Sequence, residues 1–434
     1  MKAEKSREEK RTVYDVLNAY LENGLKVILH KIPGVKTMAC VLWIRQGSDY
    51  ETDKNNGLSH LSEHLLLNPK DVNNSEYKQW MNQVSSEGVI YNAATTKEYT
   101  CYYFTGMEST LPICLSSLAC IAKENREFLE DYFENEKKVV IQEATSFYSS
   151  YQQIKERTSQ AIWGNSGVGK IIMGDLKNIS NATSQEVFRL ISDSYVPENA
   201  TVIVVGNIDY QITLAMIEER FGNWEDKKRN TEEFPVENTP GVYINQSSGT
   251  SAVISVGFRA PAYHAVERPA TELMVRMIGN SGMQSRMAQE IRIKRGLSYT
   301  FGGFSSLYKK RGTIGFMSVC DKSKVTEVAR VIMDVLMEVK ERGFREEEIQ
   351  REKNIMETSV LLAVDNISEH LRYIGKCSSM DRNFYIENEV RAIRNIEKKD
   401  IEQVTKDVLQ ECNMGLAAIG ECNVDELLEV VSFP

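Results

Sequence analysis

The chain has 434 residues, 42% hydrophobic and 26% charged, a composition that builds packed cores and a length that suggests two or more domains rather than one. Its net charge of -9 excludes the basic surface of a nucleic-acid binder and keeps the protein soluble. Met1–Lys10 is charged with no apolar segment behind it, and no apolar run reaches the length of a membrane span, so a cytoplasmic protein without secretory signal or membrane anchor is expected.

In chain order, Leu21-Glu-Asn-Gly24 carries an Asn-Gly turn signal, and Leu25, Val27 and Leu29 alternate as in a half-buried strand. Thr37–Ile44 is continuously apolar and predicts a central strand. Cys40, the first of eight scattered cysteines without a C-x-x-C pair, lies here; all eight read as reduced core thiols. Asn55-Asn-Gly57 then turns the chain into Leu58-Ser-His60-Leu-Ser-Glu63-His64-Leu-Leu-Leu67. Residues four apart share a helix face, so His60 and His64 can offer imidazole nitrogens to one ion with Glu63 beside them. The order His-x-x-Glu-His is the inverzincin pattern, in which two histidines ligate zinc and the glutamate is left as base. Leu58, Leu61 and Leu65 also make an apolar stripe, so the same residues fit an amphipathic core helix, and a third ligand has to decide.

A helical stretch follows over 75–86, then a loop from Gly88 feeding a strand rich in Thr and Tyr around Asn92 to Tyr103. The region 125–160 predicts helix throughout, with Glu136 and Glu143 two turns apart on one side. Charge, proline and glycine concentrate over 225–241, which predicts domains 1–224 and 242–434 joined by a linker. The halves look related: Glu186-Val187 and Val202–Gly206 recur as Asp400-Ile401 and Leu416–Gly420 at one offset of 214 residues, so two copies of one α/β unit are expected. In the second half, 269–278 and 283–295 read as helices and Gly296–Phe304 as a break into a strand. Arg292 and Tyr299, taken alone, are a surface cation and an interface tyrosine.

These motifs together resemble the pitrilysin/insulinase family of zinc metallopeptidases, in size most like the mitochondrial processing peptidase branch and its bacterial relatives. The similarity runs through Leu21-Glu-Asn-Gly24-Leu, Gly57 with His60-x-x-Glu63-His64, Asn92-Ala93-x-Thr95-x-x-Glu98-x-Thr100-x-Tyr102, Glu136 with Glu143, Tyr195-x-Pro197-x-Asn199-Ala200-Thr, Gly206, Arg292 and Tyr299. The resemblance implies an α+β fold of two homologous domains, each a mainly antiparallel sheet flanked by helices. It implies Zn2+ held by His60, His64 and Glu143, with Glu136 supporting the ligands. It implies Glu63 as general base and acid, Arg292 and Tyr299 as donors to the substrate carbonyl or oxyanion, and the Asn92-Ala93 strand as the edge to which an extended peptide adds. Its clam-shaped chamber contains four such units, so a two-unit chain is expected to pair as a homodimer or with a related subunit, one copy's zinc domain meeting the other's Arg292 and Tyr299. A zinc endopeptidase for unfolded peptides, presequences or leaders follows, the alternative being a non-catalytic partner subunit. The chain departs from the family after His64, at Leu66-Leu-Asn-Pro-Lys-Asp-Val72, and at Gly279-Asn-Ser-Gly282-Met283, where a glycine-rich segment is expected. Both departures bear on substrate choice.

Overall fold

The computed structural model describes residues 15–68, 75–123, 128–227, 239–280 and 282–433. Most of the expected 225–241 linker, residues 69–72 and the segment Met1–Lys10 lie outside the described residues. Two compact units emerge: Met1–Ala144 with Ile172–Phe234 and Leu362–Glu387, and Thr145–Ile171 with Pro235–Leu361 and Asn388–Pro434. Each unit therefore takes in one stretch from the opposite half of the sequence.

The first unit contains β1 (Asp15–Tyr20), β2 (Lys26–Lys31), β3 (Thr37–Ile44), β4 (Ile90–Thr95), β5 (Thr100–Met107) and β6 (Ala200–Gly206). They form one sheet in the order β1-β2-β6-β3-β5-β4, in which only β2 and β6 run parallel. The continuous apolar runs of β3 and β6 place both at the centre, where Val41, Leu42, Val202 and Val204 are buried on either face. Strand β1 escaped the sequence reading because Asp15–Tyr20 mixes polar and apolar residues without alternating, although the Asn23-Gly24 turn signal follows it directly.

The second unit contains β7 (Val242–Asn245), β8 (Ser251–Ala260), β9 (Thr300–Leu307), β10 (Gly312–Asp321) and β11 (Met414–Ile419) in the order β7-β11-β8-β10-β9. Only β7 and β11 run parallel, so the sheet repeats the order β2-β6-β3-β5-β4. The repeat extends to local detail. Helix Ser184–Ser194 opens on a capping box between Thr183 and Glu186, and helix Lys398–Val408 opens on one between Glu397 and Asp400. Both satisfy the free N–H groups of a helix start in the same way.

Three helices differ from the sequence expectation. The helix expected throughout 125–160 is Glu130–Tyr148 followed by Ile154–Trp163, because Ser149-Ser150 interrupts it: the Ser150 side chain accepts from the Gln152 N–H. The helix expected over 269–278 is α-helical only for Arg268–Val275 and then widens into a π-turn over Arg276–Asn280. The expected 283–295 helix is a π-turn over Ala288–Ile293.

The segments exchanged between halves are helices that cover the sheets. Ile154–Trp163 packs on β8 and β11, where Thr158 donates to Ser255 at 2.8 Å, while Ile367–Ser379 packs on β3 and β6. Each approach is close enough to require glycine: a Cβ on Gly257 would lie 2.2 Å from Thr158 Cγ2, and one on Gly375 would lie 2.2 Å from the Trp43 ring. Among the described residues no helix is long and apolar enough to cross a membrane.

Candidate metal centre

Helix Leu58–Leu67 is fixed at both ends by side chains from elsewhere in the unit. Its start is Gly57, at φ 107°, a left-handed conformation that glycine adopts without strain. A Cβ there would also collide with Ile179 at 2.8 Å. The buried Glu51 carboxylate accepts the N–H groups of Gly57 at 2.9 Å and Ser59 at 2.7 Å, and the Asn56 amide at 2.8 Å. An anion at this end complements the helix dipole and satisfies its free donors. At the far end the Tyr132 hydroxyl donates to the carbonyls of Leu65 and Asn68, at 3.1 and 2.9 Å. Tyr132 belongs to helix Glu130–Tyr148, so this contact holds the two helices together.

Both imidazole Nε2 atoms point across that junction. His64 Nε2 lies 3.2 Å from Glu143 Oε2 and His60 Nε2 lies 3.8 Å from the same oxygen, and one ligand atom from each of the three residues falls within 4.8 Å of the others. The remaining nitrogen of His64, Nδ1, faces Glu136 Oε2 at 3.6 Å, and Asn68 donates to that oxygen at 3.3 Å. Two imidazoles and a carboxylate are the three-ligand set of catalytic zinc, and a carboxylate behind a ligating histidine fixes its tautomer and raises its basicity. The donor set fits the metal that the sequence motif suggests.

The electrostatics agree. Burial, reinforced by His64, holds His60 down to about 3, so its imidazole is neutral with a lone pair to offer. Burial also opposes charge on His64, but Glu136, Glu63 and Glu143 outweigh it and raise its pKa. That negative field suits any cation, including a metal ion. Burial raises the Glu63 carboxyl above its ordinary value, partly offset by hydrogen bonds from Thr95, whose hydroxyl donates to Glu63 Oε2 at 2.5 Å.

Asn92 and Ala93 lie on β4, one of the sheet's two edge strands, which among the described residues pairs with β5 alone. Ile90 is 72% exposed, Asn92 is exposed, and the Asn92 side chain accepts the Ala93 N–H at 2.9 Å. Thr95 ends this strand, so the edge strand and Glu63 touch directly.

Arg292 and Tyr299 belong to the second unit and lie together there. The Arg292 guanidinium sits 4.3 Å from the Tyr299 ring centroid, Arg292 within the π-turn Ala288–Ile293 and Tyr299 just before β9. Tyr299 is 78% exposed, which leaves its hydroxyl available as a donor.

Sequence reasoning missed Glu51 and Tyr132. Neither is next to the helix end it serves, and a carboxylate seven residues before a helix carries no local capping signal.

Residues 26–176 match the family model described as "Insulinase (Peptidase family M16)", and residues 181–356 match "Peptidase M16 inactive domain". An uncharacterized zinc protease of Mycobacterium tuberculosis is 26% identical over 92% of each chain. Another, from Bacillus subtilis, is 25% identical over 82% of this chain and 86% of its own. A Helicobacter pylori protease superposes with a TM-score of 0.85 at 17% identity, covering 94% of this chain and all of that one. A Pseudomonas fluorescens structure described as a peptidase M16 inactive domain gives 0.84 at 14% identity, covering 94% of this chain and 98% of its own. Agreement in sequence along nearly the whole length, on a shared fold, makes this chain a member of the pitrilysin/insulinase family of peptidases.

Proposed function

We propose that this protein is a zinc-dependent endopeptidase that hydrolyses unfolded peptides or leader segments. The observation that carries the reading is the convergence of His60, His64 and Glu143, two Nε2 atoms and one carboxylate oxygen, beside a buried glutamate. Zinc bound by these three residues would bring a water's pKa towards neutrality and polarise a scissile carbonyl.

The chain's own residues supply the rest. Glu63 accepts a proton from the attacking water and delivers it to the departing amine, a role that suits a carboxylate whose pKa burial has raised. Glu136 orients His64 through Nδ1. The exposed edge of β4 offers backbone groups to an extended peptide, a mode that admits unfolded chains and excludes folded ones. Arg292 and Tyr299 serve as oxyanion donors, supplied by a second copy or a related subunit in a dimer; the family resemblance supports this assignment.

A non-catalytic subunit is the competing reading, favoured by the match of residues 181–356 to a domain described as inactive. Cleavage of a fluorogenic peptide mixture, with zinc content measured on the same sample, separates the two. The peptidase reading expects stoichiometric zinc and hydrolysis that chelation and Glu63→Gln abolish. Hydrolysis unchanged by Glu63→Gln overturns it.

A further inference from the structure

Around Glu63 a series of polar contacts leads from the helix to the strands and back. Thr95 Oγ1 donates to Glu63 Oε2 at 2.5 Å and lies 3.3 Å from Thr100 Oγ1. Thr100 Oγ1 donates to the Gln46 carbonyl at 2.8 Å, and Gln46 Nε2 donates to Ser59 Oγ at 3.1 Å. Ser59 and Glu63 are four residues apart on the same helix, so the path leaves one helix face and returns to it one turn earlier.

Counting hydrogens shows where each hydroxyl donates, and it leaves the 3.3 Å Thr95–Thr100 contact as a close approach with no hydrogen in it. A threonine hydroxyl has one hydrogen to give. Thr100 gives its hydrogen to the Gln46 carbonyl and can only accept from Thr95. Thr95 has two acceptors in reach, a carboxylate oxygen at 2.5 Å and a neutral hydroxyl at 3.3 Å. The charged and nearer one takes the hydrogen, since a bond to an ionised acceptor is roughly twice as strong as a neutral one. Thr95 itself is pinned by the β4–β5 turn, where Thr96 N–H donates to the Tyr99 carbonyl at 2.8 Å, and by its register partner Thr100.

We propose that Thr95 is the positioning residue for Glu63, occupying Oε2 so that Oε1 alone exchanges the proton. This rests on the peptidase reading. In the forward step a water O–H bond breaks, its electron pair stays on the water oxygen as that oxygen attacks the carbonyl carbon, the carbonyl π pair moves onto the carbonyl oxygen, and the proton goes to Oε1. In the second step the oxyanion pair re-forms the C=O bond, the C–N bond breaks with its electron pair going to nitrogen, and the proton leaves Oε1 for that nitrogen. Throughout, Thr95 keeps its hydrogen on Oε2 and prevents the carboxylate from rotating. Because Thr95 is also the last residue of the edge strand, the strand that would receive the peptide and the base that would act on it share one residue.

The test compares Thr95→Val, which keeps the shape and removes the hydroxyl, with Thr95→Ser, which keeps the hydroxyl and removes the methyl group. Peptide hydrolysis, zinc content and a crystal structure of each zinc-loaded protein are measured. The expected result for Thr95→Val is a kcat lower by roughly 10- to 100-fold with KM and zinc content unchanged, recovered in Thr95→Ser. The crystal structure should show the Glu63 carboxylate rotated or disordered in Thr95→Val alone. A Thr95→Val protein with wild-type kcat overturns the proposal, as does a Thr95→Ser protein as slow as Thr95→Val, since that would make the methyl contact responsible. If the wild type cleaves no peptide, the peptidase reading fails separately and the crystal structures decide: an undisturbed Glu63 in Thr95→Val overturns the positioning role, and a displaced one upholds it.

Discussion

The two units have one strand order and different interiors. In the first, the helix after β3 carries His60, Glu63 and His64 and faces Glu143 on the helix Glu130–Tyr148. In the second, the helix after β8 carries Leu273, Met274 and Val275, all buried, and the turn beyond it places Arg276 2.6 Å from Glu352 on the helix Glu346–Asp365. Both units set carboxylates of the later helix against the earlier one. The second neutralises its carboxylate with a cation on its own chain, whereas the first sets two glutamates against imidazoles, one of which burial keeps neutral. A common scaffold thus makes a structural ion pair in one copy and a candidate metal centre in the other, so the difference between the copies lies in a few side chains rather than in the fold.

The strongest way to break this comparison is through chemistry. Glu63→Gln should lower kcat roughly 10²- to 10⁴-fold while zinc content stays stoichiometric, and Glu352→Gln should leave both untouched in parallel assays. Activity surviving in Glu63→Gln would erase the distinction between the units. Next in size is the stability of the second unit. Glu352→Ala strips a fully buried carboxylate from Arg276, whose side chain is 28% exposed, so the expected loss is about 3 kcal/mol, at the low end for a broken buried pair, measured by urea denaturation.

Acid should discriminate between the units as well. His30 and His370 of the first unit lie edge to face at 5.2 Å, and burial holds them down to about 3 and about 4. The folded state refuses protons that the unfolded chain accepts, so stability is full above about pH 6.5 and is lost as pH falls towards 4. Thermal melts of metal-free protein should therefore shift downward through that window, and His370→Phe should flatten the slope. A slope unchanged by His370→Phe would remove this pair as its origin. Smallest is the effect of Glu51→Gln, expected to cost about 2 kcal/mol because a neutral amide replaces the anion that accepts from two backbone N–H groups at the metal helix. Hydrogen exchange confined to Leu58–Leu67 would localise that loss.

Much of the architecture was legible before any coordinates. Strands β3 and β6 announced themselves by unbroken apolar runs, and the offset of 214 residues anticipated the repeated sheet because duplicated strands keep their spacing. Helical spacing marked His60, Glu63 and His64 as candidate residues, but it fitted an amphipathic core helix equally well. It did not mark Glu143 and Glu136, since a glutamate on a charged helix looks like any solvated one, and only the resemblance singled them out. The polar contacts through Thr95 and Thr100 were invisible because they depend on strand register, which pairs residues across a turn by backbone geometry that the side chains do not spell out. The π-turns at Arg276–Asn280 and Ala288–Ile293 escaped for a related reason: the apolar period that marks a helix does not distinguish four-residue from five-residue hydrogen bonding.

The exchanged helices set an order on how this protein can be made. Lys26 on β2 donates to Ser378, 352 residues later, so the first sheet waits for its cover until synthesis is far into the second half. Helix Ile154–Trp163 has the converse history, emerging 97 residues before the Ser255 that Thr158 will meet. A nascent chain paused at the linker would thus present an open sheet face and an amphipathic helix with nowhere to lie, the kind of species chaperones hold. Translation must run to the neighbourhood of residue 379 before the candidate metal unit can close, so a truncated first half lacks part of its own wall.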